Sequence, residues 1–190
     1  DKWEPFANFW RTTQLEYTWL RSLMGRHKDF WQITEDSLDK SMKTFNIDSS
    51  MKNELLNLYK ILSPYKEVSE TLKALKEKKF KLAILSNGTP SLLNELVKSN
   101  NLNNLFDDIF SIEEVGVYKP DSKVYDIPVK KYKIKKDEIA FLSANTWDVS
   151  GGGNYGYQAI WVNRNNNIFD NLDFKPKLEI KNLSGLLGEL

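Results

Sequence analysis

Ser143, Asn145 and Asp148 stand close together where an apolar run, Ala140-Phe141-Leu142, breaks off. Glycine-rich residues 151 to 156 separate them from a second apolar run, Ala159-Ile160-Trp161-Val162. This pattern reads as a buried parallel strand, a polar loop and the next strand. In open α/β sheets ligands bind outside the carboxyl ends of the strands, so these three side chains would project where a ligand sits. A polar loop after a strand can also be only a loop. Two further polar stops favour the functional reading: Ser86-Asn87-Gly88 after Leu82 to Leu85, and Lys119 within Val117-Tyr118-Lys119-Pro120-Asp121. Polar residues at three strand ends make one candidate site.

The elements that must position these residues change character along the chain. From Pro5 to Met24, Phe6, Trp10, Tyr17, Leu20 and Met24 form one helical stripe, widened by Leu15, Trp19 and Leu23 and closed by Gly25. Arg11 on this helix reads as a surface arginine with a packed stem. Leu38, Met42 and Phe45 predict a second helix from near Thr34. Met51, Leu55, Tyr59 and Leu62 predict a third, opened by Ser49 or Ser50 and stopped at Ser63-Pro64. Residues 1 to about 65 thus read as a small helical bundle. Beyond Pro64, helices and strands alternate. Val68, Leu72 and Leu75 mark a helix and Lys81 to Leu85 a strand; Thr89 caps a helix that has Pro90 at its first position. Ile109, Phe110 and Ile112 suggest a strand, Val124 and Tyr125 a helix kinked or shortened by Pro128, and Ile139 to Ser143 the next strand. Asn165-Asn166-Asn167 is a polar turn, and Leu186, Leu187 and Leu190 dock a tail. This alternation predicts a parallel sheet covered on both faces over residues 66 to 190.

Composition removes several kinds of chemistry. The 190 residues are 41% hydrophobic and 28% charged, enough for one substantial core and a smaller lobe. Lys plus Arg (27) nearly balance Asp plus Glu (26), so no nucleic-acid or other polyanion partner is expected. No apolar run reaches the ~20 residues of a membrane helix and no signal segment opens the chain, which makes a soluble cytoplasmic protein the default expectation. The absence of cysteine rules out disulfides, thiolate metal sites and a cysteine nucleophile. His27 is the only histidine, lying in the polar turn Gly25-Arg26-His27-Lys28. That leaves no His-rich metal site and favours a solvated histidine over a Ser-His-Asp triad.

Four phrases together resemble the L-2-haloacid dehalogenases of the haloacid dehalogenase superfamily: Gln14 to Leu23, Leu82 to Gly88, Val117 to Asp121, and Ser143-Ala144-Asn145-Thr146-Trp147-Asp148. The similarity runs from about Phe9 to Arg164. Lys-Pro-Asp and Ser-Asn-Gly belong to the wider superfamily, whereas the aromatic helix around Arg11 and the Ser-Ala-Asn-Thr-Trp-Asp loop belong to the dehalogenase branch. The resemblance implies a Rossmann-like parallel core with an all-helical cap, residues 1 to 65 forming the cap and 66 to 190 the core. It also implies hydrolysis of (S)-2-haloalkanoic acids to (R)-2-hydroxyalkanoic acids through an aspartyl ester. On that similarity Arg11 receives the departing halide. Ser86, with Asn87 beside it, anchors the substrate carboxylate, and Lys119 pairs with the nucleophile. Asn145 and Trp147 line the halide side, and Ser143 and Asp148 hold Lys119 and the hydrolytic water. Leu15 and Phe30 supply an apolar wall and Tyr125 a nearby phenol. Arg11 is expected to face Ser86, Lys119 and Asn145 across a cleft. No metal or other cofactor is implied: the superfamily's phosphatases need a carboxylate pair around Mg²⁺, and here Asp148 is the loop's only carboxylate. The implied partners are a small 2-haloacid, halide and a second copy of the chain in a homodimer.

The sequence departs from the family pattern in one large respect. The nucleophilic aspartate lies in an Asp-x-x-Gly-Thr motif after the first strand, ahead of the cap, and the only Gly-Thr here is Gly88-Thr89. Asp1 has no following Gly-Thr and does not substitute. The expectation is a fragment or an incomplete gene product in which the first central strand is missing, leaving an apolar slot and a chain inactive by itself. A non-catalytic remnant that keeps an anion-binding pocket is the alternative reading, and a superfamily phosphatase a weaker one. Smaller departures are Thr12 where a longer amide is usual, Pro128, and Gly151-Gly152-Gly153, expected to weaken the following helix by up to ~1 kcal/mol per glycine. Together they suggest relaxed selection or a tolerant scaffold.

Overall fold

The computed structural model describes residues 2 to 189. Asp1 and Leu190, considered above as nucleophile and docking residue, lie outside the described residues. In chain order the elements are α1 (Trp3–Leu23), α2 (Phe30–Phe45), α3 (Lys52–Leu58), α4 (Val68–Glu77), β1 (Ala83–Ser86), α5 (Pro90–Ser99) and β2 (Asp108–Ser111). They continue as α6 (Ser122–Tyr132), β3 (Ala140–Ser143), α7 (Thr146–Tyr155), β4 (Gln158–Val162) and β5 (Leu178–Ile180). The chain forms two compact units: residues up to 63 with 86–101 and 111–118, and residues 64–85 with 102–110 and 119 onward.

In the first unit Phe6 and Trp10 of α1 pack with Leu38 and Met42 of α2 and Leu56 of α3. The buried face of α1 then continues as Thr13, Gln14 and Thr18, whereas Leu20 and Met24, expected in the buried stripe, are exposed. The polar residues prevail because α2 offers them partners. Trp10 Nε1–H donates to the Thr34 carbonyl at 3.1 Å and Gln14 Nε2–H to Thr34 Oγ1 at 2.6 Å. A buried polar group so paired avoids the penalty of desolvation. Thr34 is therefore an interior residue of α2 and not its start. The helix begins at Phe30, where the Asp29 carboxylate caps it by accepting the Gln32 N–H at 2.8 Å. The third helix ends at Leu58, short of Ser63-Pro64, since Leu58, Ile61 and Leu62 are exposed and no core rewards another turn.

In the second unit β3, β4 and β5 form a parallel sheet in that order, with Phe141 opposite Ala159, Ser143 opposite Trp161 and Trp161 opposite Glu179. β4 is buried on both faces. Ile160 and Val162 meet Leu75, Ile180 and Leu186 on one side, and Ala159 and Trp161 meet Val149 of α7 on the other. β1 and β2 pair as a separate two-stranded sheet. β5 has no counterpart in the sequence expectations. Pro128 lies inside an unbroken α6, on the face that also buries Val124, Tyr125 and Ile127, so packing holds the helix past the proline.

The glycine run is helical throughout α7, and each glycine has a reason to lack a side chain. A Cβ at Gly151 would lie 2.5 Å from Tyr125 Oη, one at Gly152 2.6 Å from Phe141 Cδ1, and one at Gly153 1.9 Å from Phe174 Cζ. Close packing around α7 leaves no room for a side chain at Gly151, Gly152 or Gly153 unless a neighbour shifts.

Candidate active site

The loop that leaves β3 is built by short-range bonds. Ser143 Oγ accepts the Asn145 N–H at 3.2 Å, and the Asn145 backbone then opens α7 without spending its amide side chain as a cap. Asp148 falls in the first turn of α7, where the partial positive charge of a helix N-terminus favours a carboxylate. One turn of helix thus carries Asp148 inward, where it is buried.

Lys119 meets it there. Its Nζ lies 3.1 Å from Asp148 Oδ2, and each side chain is only 7% exposed. Tyr125 Oη–H donates to the other carboxylate oxygen, Oδ1, at 2.8 Å. Aromatic rings complete the shell, with Lys119 Nζ 4.9 Å from the centre of Phe141 and 5.9 Å from that of Tyr125. Burial pushes the lysine below its usual range, while the Asp148 charge and hydrogen bond pull it back up. Burial likewise raises the Tyr125 phenol, and the adjacent Asp148 charge adds to the effect. Tyr125 is thus a hydrogen-bond donor and not a base near neutrality.

The structure therefore brings together Lys119, Tyr125 and Asp148 at the root of the loop that carries Ser143, Asn145 and Trp147. The other expected residues belong to the first unit. Ser86 closes β1 and its Oγ accepts the Gly88 N–H at 3.1 Å, while the Gly88 carbonyl accepts from Ser111 Oγ at 2.7 Å. Asn87 is half-buried between them. Thr89 and Pro90 start α5 as expected, with Thr89 Oγ1 accepting the Leu92 N–H. Phe30 and Leu15 are half-buried, and the Phe30 ring lies 6.4 Å from that of Tyr118. Arg11 is on the exposed side of α1, with its charge felt by the Tyr59 phenol, which burial raises and which also bonds Gln14. Among the described residues no group of three or more His, Asp or Glu side chains is arranged to hold a metal ion.

Sequence reasoning passed over what lies behind the loop. The Trp161 indole N–H reaches the Ala144 carbonyl at 3.4 Å, and Thr146 Oγ1–H donates to Asp170 Oδ2 at 2.5 Å. Trp161 was visible only as part of an apolar run, and nothing in the sequence marked Asp170.

Comparison with known proteins shows the family of the chain. The profile of the family described as haloacid dehalogenase-like hydrolase matches residues 6–162. The (S)-2-haloacid dehalogenase of Pseudomonas putida is 38% identical over 183 residues, covering 95% of this chain and 81% of that protein. A dehalogenase crystal structure superposes with a TM-score of 0.96 at 33% identity, covering 100% of this chain and 84% of the other. The L-2-haloacid dehalogenase of Xanthobacter autotrophicus, solved with chloropropionic acid covalently bound, gives 0.90 at 29% identity, covering 97% and 85%. With the profile spanning most of its length, the chain belongs to the haloacid dehalogenase-like hydrolase family.

Proposed function

We propose that the chain serves the metal-independent hydrolysis of (S)-2-haloalkanoic acids to (R)-2-hydroxyalkanoic acids. The observation that carries this reading is the buried cluster of Lys119, Asp148 and Tyr125 below the Ser143 to Asp148 loop, a cation held in an aromatic shell beside a single carboxylate. Displacement of halide at an alkyl carbon needs dry walls and fixed positive charge, which suits this cluster better than phosphoryl transfer around Mg²⁺. The covalently bound chloropropionic acid in the Xanthobacter relative supports an ester route.

In that route a carboxylate oxygen attacks C2 from behind the halogen, the carbon–halogen bond breaks, and halide leaves with the electron pair. Water then adds to the ester carbonyl and loses a proton, and the 2-hydroxy acid departs, so configuration inverts once. Arg11 takes up the developing halide charge, and Asn145 and Trp147 line that side. Ser86 and Asn87 hold the substrate carboxylate, and Leu15 and Phe30 exclude water. Lys119 holds the nucleophile, while Ser143 and Asp148 orient Lys119 and the hydrolytic water with Tyr125 as donor. Residues 1 to 65 act as the cap and 66 to 190 as the core. Exposed Trp3, Leu20, Leu23 and Met24 along α1 support a homodimer contact, and among the described residues no helix is long and apolar enough to cross a membrane. We place the protein in the cytoplasm, with no nucleic-acid partner.

These residues contain no Asp-x-x-Gly-Thr motif, so the 190-residue chain by itself is proposed to bind carboxylate or halide without turnover. The same observation favours a second reading, a non-catalytic remnant that keeps the anion-binding pocket. Chloride release from (S)-2-chloropropionate separates them, assayed in chelator on the 190 residues and on a longer chain carrying an Asp-x-x-Gly-Thr segment ahead of them. Release by the longer chain alone supports the hydrolase. Release by neither supports the remnant, and comparable release by the short chain overturns the account of the nucleophile.

A further inference from the structure

The segment that follows β4 is held more firmly than a surface turn requires. Asn163 is buried, and its side chain closes the turn from both ends: Nδ2–H donates to the Asn167 carbonyl at 3.0 Å and Oδ1 accepts the Asn167 N–H at 2.8 Å. Nδ2–H also donates to Glu179 Oε1 at 2.8 Å, tying the turn to β5. Phe169 then packs edge-on to Trp161, ring centres 5.1 Å apart, and with Phe174 covers Val149 and Ala159. Fixed at both places, the segment delivers Asp170 to Thr146.

Thr146 is the residue after Asn145, and its hydroxyl bond to Asp170, at 2.5 Å, has the length of a charge-assisted contact. On the other side of Asn145, the Ala144 carbonyl is met by the Trp161 indole, and Trp161 is opposite Ser143 in the sheet register. The Asn145 N–H itself is taken by Ser143 Oγ. The backbone of Asn145 is thus fixed before, at and after the residue, while its side chain takes no part in capping α7. Between the two loops lies an open recess of about 620 Å³ lined by Asn145, Trp147, Asn166, Ile168 and Asp170, among others. Phe169 and Phe174 cover Val149 at the far end of the first turn of α7, and the Asp170 contact adds a polar hold on Thr146 at its start.

We infer that Asp170, held by Asn163 and Phe169 and acting through Thr146, is a positioning residue that sets the orientation of Asn145 toward halide. The inference rests on the assignment of Asn145 to the halide side. Asp170 touches no reacting atom, and its effect passes through one hydroxyl. Thr146→Ser therefore keeps the function and Thr146→Val abolishes it, whereas a general contribution to α7 stability would not separate these two variants by their effect on Asn145.

The test uses the ¹⁵N-labelled 190-residue protein and reads the Asn145 side-chain amide resonances, first without ligand and then in a bromide titration. In Asp170→Ala and Thr146→Val the ligand-free Asn145 signals move or broaden, and bromide affinity falls on the order of tenfold, the loss of one charge-assisted hydrogen bond. Thr146→Ser and Asp170→Asn, which retain a donor and an acceptor, restore both. Unchanged Asn145 signals in Asp170→Ala and Thr146→Val overturn the inference, as does a melting-temperature loss that serine fails to separate from valine. If the unaltered protein takes up no bromide, the assignment of Asn145 to halide fails, while the ligand-free spectra still decide whether Asp170 positions it.

Discussion

The Tyr125 hydroxyl and the Lys119 ammonium grip opposite oxygens of the Asp148 carboxylate, Tyr125 at 2.8 Å on Oδ1 and Lys119 at 3.1 Å on Oδ2. A buried carboxylate so bridged is vulnerable above all to loss of Lys119, because what remains is a charge without its counter-charge. Lys119→Met is expected to destabilise the fold by about 3–5 kcal/mol, and Lys119→Met with Asp148→Leu by less than the sum of the single changes. Urea unfolding of the four proteins gives the coupling. Additive losses would show that the two groups do not depend on each other.

Tyr125→Phe removes one donor and leaves the ion pair, so the expected loss is smaller, about 1–3 kcal/mol. In a longer, nucleophile-bearing chain the same change is expected to lower kcat more than it raises KM, because the Tyr125 hydroxyl is committed to Asp148. Steady-state kinetics with (S)-2-chloropropionate reads the split.

Substituting alanine into a helix at glycine ordinarily stabilises by roughly 0.5–1 kcal/mol. At Gly151 the sign should reverse. The added Cβ would lie 2.5 Å from Tyr125 Oη and 2.7 Å from Pro120 Cβ, and Tyr125 is fully buried with its hydroxyl committed to Asp148. Gly151→Ala should therefore destabilise by about 1–3 kcal/mol, visible as a lower melting temperature. Gly153→Ala should be milder despite its closer contact, since Phe174 is only half-buried and can swing aside.

Asp107 supplies an acid-sensitive clamp. Both of its oxygens meet Lys76 Nζ, at 2.7 and 2.9 Å, and Oδ2 also accepts the Leu82 N–H at 2.7 Å, which together hold its carboxyl below the usual range. With the folded value lower than the unfolded one, the contribution is complete above the unfolded value and is lost as pH falls through the folded one. Asp107→Ala should cost about 0.5–1 kcal/mol at pH near 7, discounted for partial exposure. That deficit should shrink below a pH of about 3.9. Urea midpoints on either side of that pH provide the check.

The site was legible in sequence where single residues announce a local bond. Thr89-Pro90 marked the start of α5, and Ser86 and Ser143 marked strand ends, because a cap or a polar stop is written within a few positions. Asp29 was equally local but was passed over for Thr34, whose hydroxyl is spent inside the bundle on the Phe30 carbonyl and Gln14. Contacts between distant segments left no trace. The three residues of β5 earn their place by parallel pairing with β4, and Asp170 reaches Thr146 across a turn whose closure depends on the buried Asn163. The glycines of α7 were read by helix propensity alone, yet their reason lies in Tyr125, Phe141 and Phe174, on other elements.

Trp161 gives the molecule an optical reporter of its own. An indole that is buried, packed against Phe169 and bonded through its N–H to the Ala144 carbonyl is held in a chiral environment adjoining the polar loop. Its near-ultraviolet dichroism and the wavelength of its emission should follow that single hydrogen bond. Closing or loosening of the Ser143 to Asp148 loop would then be visible in unlabelled protein, as the difference between the parent spectrum and that of Trp161→Phe.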